Sequence, residues 1–430
     1  MHYFQLKRKE GSTIFPIPES LPEPVLASLN KETRYRSQEA LNYDLSWQAV
    51  HKGYLGNTDT YTTFARVPIF DEYLFIRKNF HPIWVVYTLL VRLVSLNNPI
   101  KEIEAFVKTR HISFEPYWKN NVEYPSWKEA SHLISEKPLV SVVIPTLNRY
   151  RYLTDVLKDF EKQTYANFEI VVVDQSNPFN SKFYDQFELS INILRQEVPA
   201  LWLARNTAIR NAKGAIIALS EDDVRVPEQW LENHLRCLDY FDIKISAGVF
   251  FAEGSKMPEN RSFFAVASQF ATGNAMLYKS VFKEIGLFDR QYERQRMGDG
   301  EFGARAFKQG IRAVSNPFAY CVDVKAGEGG LRQMGSWDAF RPKNWVAPRP
   351  IPSVLYFFRS YFGPTNAWFA ILKRVPPSIV PYRFKKNKGM MVLGLILSLF
   401  LLPVIAVQVC ISWNKASQKI NEGPRISELD

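Results

Sequence analysis

Cysteine and histidine are scarce in this chain. Its 430 residues hold three cysteines, Cys237, Cys321 and Cys410, and six histidines. Three thiols without metal-type spacing exclude a disulfide-stapled scaffold and suit a reducing compartment. They also make zinc chemistry a poor fit, and no Ser-His-Asp or Cys-His arrangement stands out. A glycine-rich phosphate loop followed by lysine is missing. So are internal repeats, low-complexity stretches and nucleic-acid-binding motifs. Residues Met1 to Lys9 contain no apolar signal-peptide core. Positive charge, in contrast, is in excess: 54 Lys and Arg against 43 Asp and Glu give a formal net charge of +11. Phospholipid head groups and a phosphorylated substrate explain that excess more simply than nucleic acid does.

The most informative stretch is Ser220-Glu221-Asp222-Asp223. It follows an apolar run, Ala215 to Leu219, entered through Lys213-Gly214. Such a run reads as a central strand of a parallel sheet. Carboxylates at its carboxyl end would lie on the ligand-binding edge of an open α/β sheet. Hard oxygen ligands there suit Mg²⁺ or Mn²⁺ bound together with phosphates; a solvated turn capping the next helix is the plainer reading. Leu139 to Ile144 reads as a second buried strand, with Asn148 capping a helix from about Tyr150 to Gln163. Phe168 to Val173 reads as a third, ending in the lone carboxylate of Asp174. Strand, helix and strand over this distance make a βαβ unit whose strand ends face one crevice.

These pieces resemble the family 2 glycosyltransferases over about Pro138 to Arg332. The matching motifs stand in the family's order: Val143 to Arg149, Val171 to Asp174, Leu203 to Ile209, Leu219 to Asp223, Thr272 to Met276 and Ile285 to Asp289. The resemblance implies an α/β GT-A fold, a Rossmann-like nucleotide-binding sheet with helices on both faces. Outside the resemblance, the residues themselves lead to the expectation of an N-terminal α+β extension and a C-terminal membrane helix around that core. It assigns Pro145, Thr146, Asn148, Asp174, Arg205, Asn206, Asp222 and Arg332 to a nucleotide-sugar donor (UDP-, GDP- or dTDP-linked). Asp223 and Asp323 fall to the metal, and Gly273, Asn274 and Glu301 to the acceptor side. Asp299 falls to the catalytic base. Three positions depart from the family's usual residues. Glu221 leads the metal motif, Gly298 precedes the base where Glu is common, and Asp323 stands in place of His.

The implied chemistry asks for this set. The donor leaves as a diphosphate, whose charge a divalent cation neutralises. The acceptor hydroxyl is a poor nucleophile, and a carboxylate that takes its proton typically contributes about 10²–10⁴-fold. Attack opposite the diphosphate inverts the anomeric centre. As helix-capping aspartate and surface arginine, Asp299 and Arg332 also have plain structural readings.

The expected organisation is an extension of unknown role over 1–137, the glycosyltransferase core over 138–345 and a basic aromatic segment over 346–388. A membrane span over 389–413 and a polar tail over 414–430 complete it. In the extension, Tyr61 to Val67 reads as a strand. Ile83 to Leu96 reads as a packed or interfacial helix, too short to span a bilayer. Asn98-Pro99 opens a helix to about His111, and Ser126 another to about Ser135. From Gly389 to Asn414 no residue is charged. The Lys and Arg residues before it place the catalytic side in the cytoplasm of a single-pass protein. Ile351 to Pro381 reads as an interfacial helix. The expected activity is therefore inverting transfer to a saccharide or lipid-linked acceptor at the membrane. A sugar-phosphate nucleotidyltransferase and a catalytically silent binding protein are the alternatives.

Overall fold

The computed structural model describes residues 3–324, 334–381, 384–385 and 387–429. The chain divides into two compact units. One comprises residues 1–129 with 257–268 and 314–317; the other comprises 130–256, 269–313 and 318–430.

Nine strands form one sheet. They are β1 (Val140–Thr146), β2 (Phe168–Asp174), β3 (Ile191–Arg195), β4 (Ile216–Ser220), β5 (Val224–Arg225), β6 (Ile245–Ala252), β7 (Ala265–Val266), β8 (Asn274–Tyr278) and β9 (Ala313–Asp323). Their order is β3-β2-β1-β4-β8-β6-β9-β5, with β7 paired to the start of β9. β1 runs parallel to β2 and to β4, and β2 parallel to β3. β4 meets β8 antiparallel on its other edge. The sheet is thus mixed, and β4 is the strand at which parallel pairing gives way to antiparallel. β1 and β4 are buried along their whole length, which is why both read as unbroken apolar runs. The helix Tyr150–Phe160 carries β1 over to β2, burying Leu153, Val156, Leu157 and Phe160 at helical spacing.

Asn148 does not cap that helix. It sits at φ 55°, and its Oδ1 accepts the N–H of Asn177 at 2.8 Å. The short left-handed turn spends its side chain on the neighbouring loop.

In the first unit, Ser37 caps Gln38–His51 by accepting from the N–H of Ala40. Ile69–Asn79, Ile83–Val94 and Pro99–Lys108 follow, the last capped by Asn98 as expected. Two expectations fail. Tyr61 to Val67 forms no strand; next to it a single bridge joins Pro16 and Thr60. Among the described residues, backbone bonds tie Tyr61 to Phe15 and Thr13 and stop there, while Tyr61 and Phe64 pack edge-on against Tyr43, each at 5.1 Å. The single helix expected from Ser126 is instead a 3₁₀ turn, Pro125–Glu129, and a short helix, His132–Glu136.

The C-terminal stretch also departs from expectation. The proposed span over 389–413 is two helices, Lys388–Phe400 and Leu402–Glu422, bent by 87°. Pro403 stands in the first turn of the second, where its missing N–H is tolerated but the preceding helix cannot run through it. The second helix buries Ile405, Gln408, Val409, Ser412 and Ala416. Gln408 donates to the carbonyl of Trp345 at 2.8 Å and accepts from Arg349 Nε at 3.0 Å, and Ser412 donates to the carbonyl of Pro350. No single described helix is long and apolar enough to cross a membrane. The helix Pro352–Arg374, expected to lie on a membrane, breaks at Gly363 (φ 81°) before Pro364. Its first half is buried, while Trp368, Phe369 and Leu372 in its second half are exposed.

Candidate active site

β1 has β2 on one side and β4 on the other, so the strand order reverses between β1 and β4. Ligands of open α/β sheets bind at the carboxyl ends of strands flanking such a reversal. Thr146 ends β1 and donates its hydroxyl to Asp222 Oδ2 at 2.9 Å. Arg149, just beyond β1, reaches across: its Nη1 is 2.9 Å from Asp222 Oδ1 and 3.7 Å from Asp223 Oδ2. Arg205, from the helix Leu201–Asn211, is fully buried. It donates to the carbonyl of Thr272 at 2.7 Å and pairs with Glu221 Oε1 at 3.1 Å, while its Nε has no partner.

The remaining elements close on the same place. Gly273 lies against Glu221; a Cβ there would stand 2.8 Å from both the Glu221 carboxyl carbon and the Phe250 ring. Asp323 ends β9 beside Val224, and the N–H of Val324 donates to the carbonyl of Asp223. Asp299 lies in the first turn of the helix Gly298–Lys308, after Met297 in a left-handed conformation (φ 79°). Its Oδ1 accepts the N–H of Gly300 at 2.8 Å.

Burial and crowding set the electrostatics. Loss of water raises the Asp299 carboxyl, opposed by its bond from Gly300 and by the Arg296 and Arg205 charges. Burial also raises Asp222, with Arg149 pulling the other way. Glu221 is pushed up to about 7, first by burial and then by Asp223, Asp222 and Asp299, against Arg205. Its side chain keeps 39 % of its exposure, so water relieves part of that push. The site is a basin of carboxylates held by two inward-facing arginines, and it favours added positive charge.

Other candidate residues are engaged elsewhere. Asp174 is buried, with the Tyr150 and Tyr184 hydroxyls each donating to Oδ2 at 2.8 Å and the Ser176 N–H to Oδ1 at 2.8 Å. Both tyrosine bonds fall on Oδ2, so a base or ribose bonding that oxygen competes with them. Asn206 clamps the backbone N–H and carbonyl of Phe288. Asn274 is buried at the start of β8, bonded to Trp230 Nε1, His234 Nε2 and the carbonyls of Val249 and Ala319. Glu301 is two residues beyond Asp299 and so on the opposite side of the helix. It is bound by Arg305 and by the Tyr361 hydroxyl at 2.6 Å. There it lines a cavity of about 350 Å³ with Asp289, Tyr292, Tyr356 and Lys308. Pro145 is a buried β1 residue registered with Val173. Arg332 lies outside the described residues.

Residues 141–264 match the family model described as "Glycosyl transferase family 2". These residues are a family 2 glycosyltransferase domain. Outside the match, Asp299 and Asp323 extend the domain's carboxylate basin. The glycosyltransferase domain is 25 % identical over 169 residues to glycosyltransferase GlyA of Streptococcus pneumoniae serotype 4, covering 38 % of this chain and 23 % of GlyA. It is 26 % identical over 172 residues to glycosyltransferase AglE of Haloferax volcanii, covering 37 % of this chain and 55 % of AglE. It is 27 % identical over 153 residues to UDP-Glc:alpha-D-GlcNAc-diphosphoundecaprenol beta-1,3-glucosyltransferase WfgD of Escherichia coli, covering 35 % of this chain and 57 % of WfgD. The chain therefore spans between about a quarter and a little over half of the length of these relatives. Motif reading passed over Arg149 as a site residue although it closes the first motif, Val143 to Arg149. A cation three residues past the end of β1, in a loop that the fold turns toward an acidic triplet, was the signal available.

Proposed function

We propose that this protein is an inverting glycosyltransferase that moves a sugar from a nucleotide-sugar donor to a saccharide or lipid-linked glycan. The observation that carries this reading is the convergence of Asp222, Asp223, Glu221 and Arg205 at the β1/β4 reversal, with Asp299 near enough to act electrostatically on Glu221 and Arg205. The acceptor in WfgD's name, a diphosphoundecaprenol-linked sugar, supports the lipid-linked class.

The family implies Mg²⁺ or Mn²⁺. No group of three or more His, Cys, Asp or Glu among the described residues is arranged to hold a metal ion. Mg²⁺ is usually held by one or two carboxylates, with phosphate and water completing its shell. Asp223 and Asp323, all-oxygen donors at adjacent strand ends, fit that smaller requirement. When bound, the ion supplies Lewis-acid neutralisation of the departing diphosphate. The chain's own residues do the rest. Arg149 and Thr146 orient Asp222 toward donor hydroxyls. Asp299 accepts the acceptor hydroxyl's proton as that oxygen bonds to the anomeric carbon. The bond from this carbon to the phosphate oxygen breaks, and its electron pair leaves with the diphosphate. A carboxyl raised by burial is a better-matched base near neutrality than an ordinary one.

A second reading has one observation in its favour. Arg149 bridges Asp222 and Asp223, occupying carboxylates that the metal would need, as a silent binding protein would tolerate. A panel of UDP-, GDP- and dTDP-sugars with Mn²⁺ separates the two, read as nucleoside diphosphate release on adding a lipid-linked acceptor. Metal-dependent release from one donor is expected. Silence in both release and nucleotide diphosphate binding would leave the binding protein.

Membrane attachment belongs to the same proposal in a coarser form. Lys388–Phe400 exposes Val392, Leu393, Leu395, Ile396, Leu397, Leu399 and Phe400. At 13 residues it is about 20 Å long, against a hydrocarbon core of about 30 Å. It suits insertion into one leaflet or the interface, with the second helix held on the protein.

A further inference from the structure

The helix Ile83–Val94 is apolar around its circumference except for Arg92 and Thr88. One side is used by the first unit itself: Val85 is buried with Tyr73 and Ala105, and Leu89 packs on them with Phe106. Arg92 is also turned to that side, pairing with Glu72 at 2.6 Å and with Glu102 at 3.4 Å. The other side of this helix carries no charged residue. Ile83, Val86, Leu90 and Val94 stand along it at helical spacing, 62, 47, 57 and 82 % exposed. The chain turns at Leu96, 93 % exposed, and returns as Pro99–Lys108. That helix adds Ile100, Ile103 and Val107, 75, 48 and 47 % exposed, while burying Glu102 and Ala105. Two packed helices thus present one run of eight large aliphatic side chains.

We propose that this helical hairpin is a docking surface for an anionic lipid leaflet, separate from the C-terminal apolar helices. Three features favour lipid over a protein partner. The face is dominated by aliphatic side chains, the pattern of a helix that lies in a membrane interface. Residues 80–111 carry Arg92, Lys101, Lys108 and Arg110 against two glutamates, of which Glu102 is buried and Glu104 is paired to Lys108 at 2.5 Å. Lys101, Lys108 and Arg110 are exposed beside the aliphatic run, where their stems can lie along it while the charges reach head groups. Trp84 and Tyr87 form an edge-on pair, the residue types enriched at membrane interfaces. The 12-residue helix is too short to span a bilayer. A large apolar face with a basic margin instead matches shallow insertion in the plane of the interface.

The test uses the full chain, so that any binding through the C-terminal helices is retained. Cys410, the exposed native thiol, is changed by Cys410→Ser, and Val94→Cys carries an environment-sensitive fluorophore. On phosphatidylglycerol–phosphatidylcholine vesicles the label should shift to the blue and be quenched several-fold by nitroxide-labelled lipid. Pure phosphatidylcholine should give a weaker response. Adding Leu90→Glu and Ile103→Glu should abolish the quenching while the circular dichroism spectrum is unchanged. A label that stays in water on vesicle-bound protein, or protein that ignores vesicles altogether, overturns the proposal. A blue shift that follows protein concentration without lipid also overturns it and makes a second copy the occupant.

Discussion

At the residue scale the site turns on a few close contacts. Arg149 is the counter-charge of Asp222 and Asp223, and only 15 % of its side chain is exposed. Removing one partner of a buried pair typically costs about 3–5 kcal/mol. Arg149→Met should therefore lower the melting temperature of the metal-free protein, and Mn²⁺ should recover part of the loss. Unchanged stability would mean that the pair is not formed in solution. Gly298 is the other close contact: a Cβ there would stand 2.3 Å from the Trp202 indole. Overpacking of this kind costs about 1–3 kcal/mol, and the displaced helix start carries Asp299. Gly298→Ala should reduce turnover more than Gly300→Ala, whose Cβ meets only Met297 Cε at 3.3 Å; equal effects would argue against tight seating of the helix. The acidic cluster was legible in the sequence because an apolar run delivered it to a strand end. The engagement of Asp174 by Tyr150 and Tyr184 was not, because the two tyrosines approach from separate segments. Asn274 shows the same limit, with a polar side chain read as acceptor-facing but consumed by four interior partners.

At the element scale, β1, β2 and β4 and the helix after β1 were readable from unbroken apolar runs and 3.6-residue spacing. The antiparallel neighbour of β4 was not, since burial on both faces looks alike in either pairing. The 87° bend in the C-terminal segment was not legible, because a charge-free stretch hides a 405, 408, 409, 412, 416 face on which Gln408 and Ser412 find carbonyl partners. This gives a discriminating test. Gln408→Leu leaves the Arg349 guanidinium without one of its acceptors and the Trp345 carbonyl without a donor. Each such loss is worth about 1–3 kcal/mol, so the melting temperature should fall. A continuous span facing lipid would be unaffected or stabilised by the same change.

At the scale of the whole molecule, one unit carries the carboxylate basin and a bent apolar helix pair, and the other an aliphatic helical hairpin. The net charge of +11 suits both a phosphorylated donor and an anionic surface. Binding to phosphatidylglycerol vesicles should weaken as salt rises, because the screening length falls from about 10 Å at 0.1 M to about 3 Å at 1 M; salt-independent binding would leave apolar insertion as the whole attraction. The central claim is that this basin transfers a sugar with Asp299 as base, and turnover of Asp299→Asn with the active donor tests it most directly. The account predicts a loss of roughly 10²-fold or more in kcat, with nucleotide diphosphate binding retained. In the unchanged protein activity should be lost as pH falls through a base raised above the usual carboxylate range, because burial favours the protonated form. Near-normal turnover of Asp299→Asn, with that acid limb intact, would contradict it.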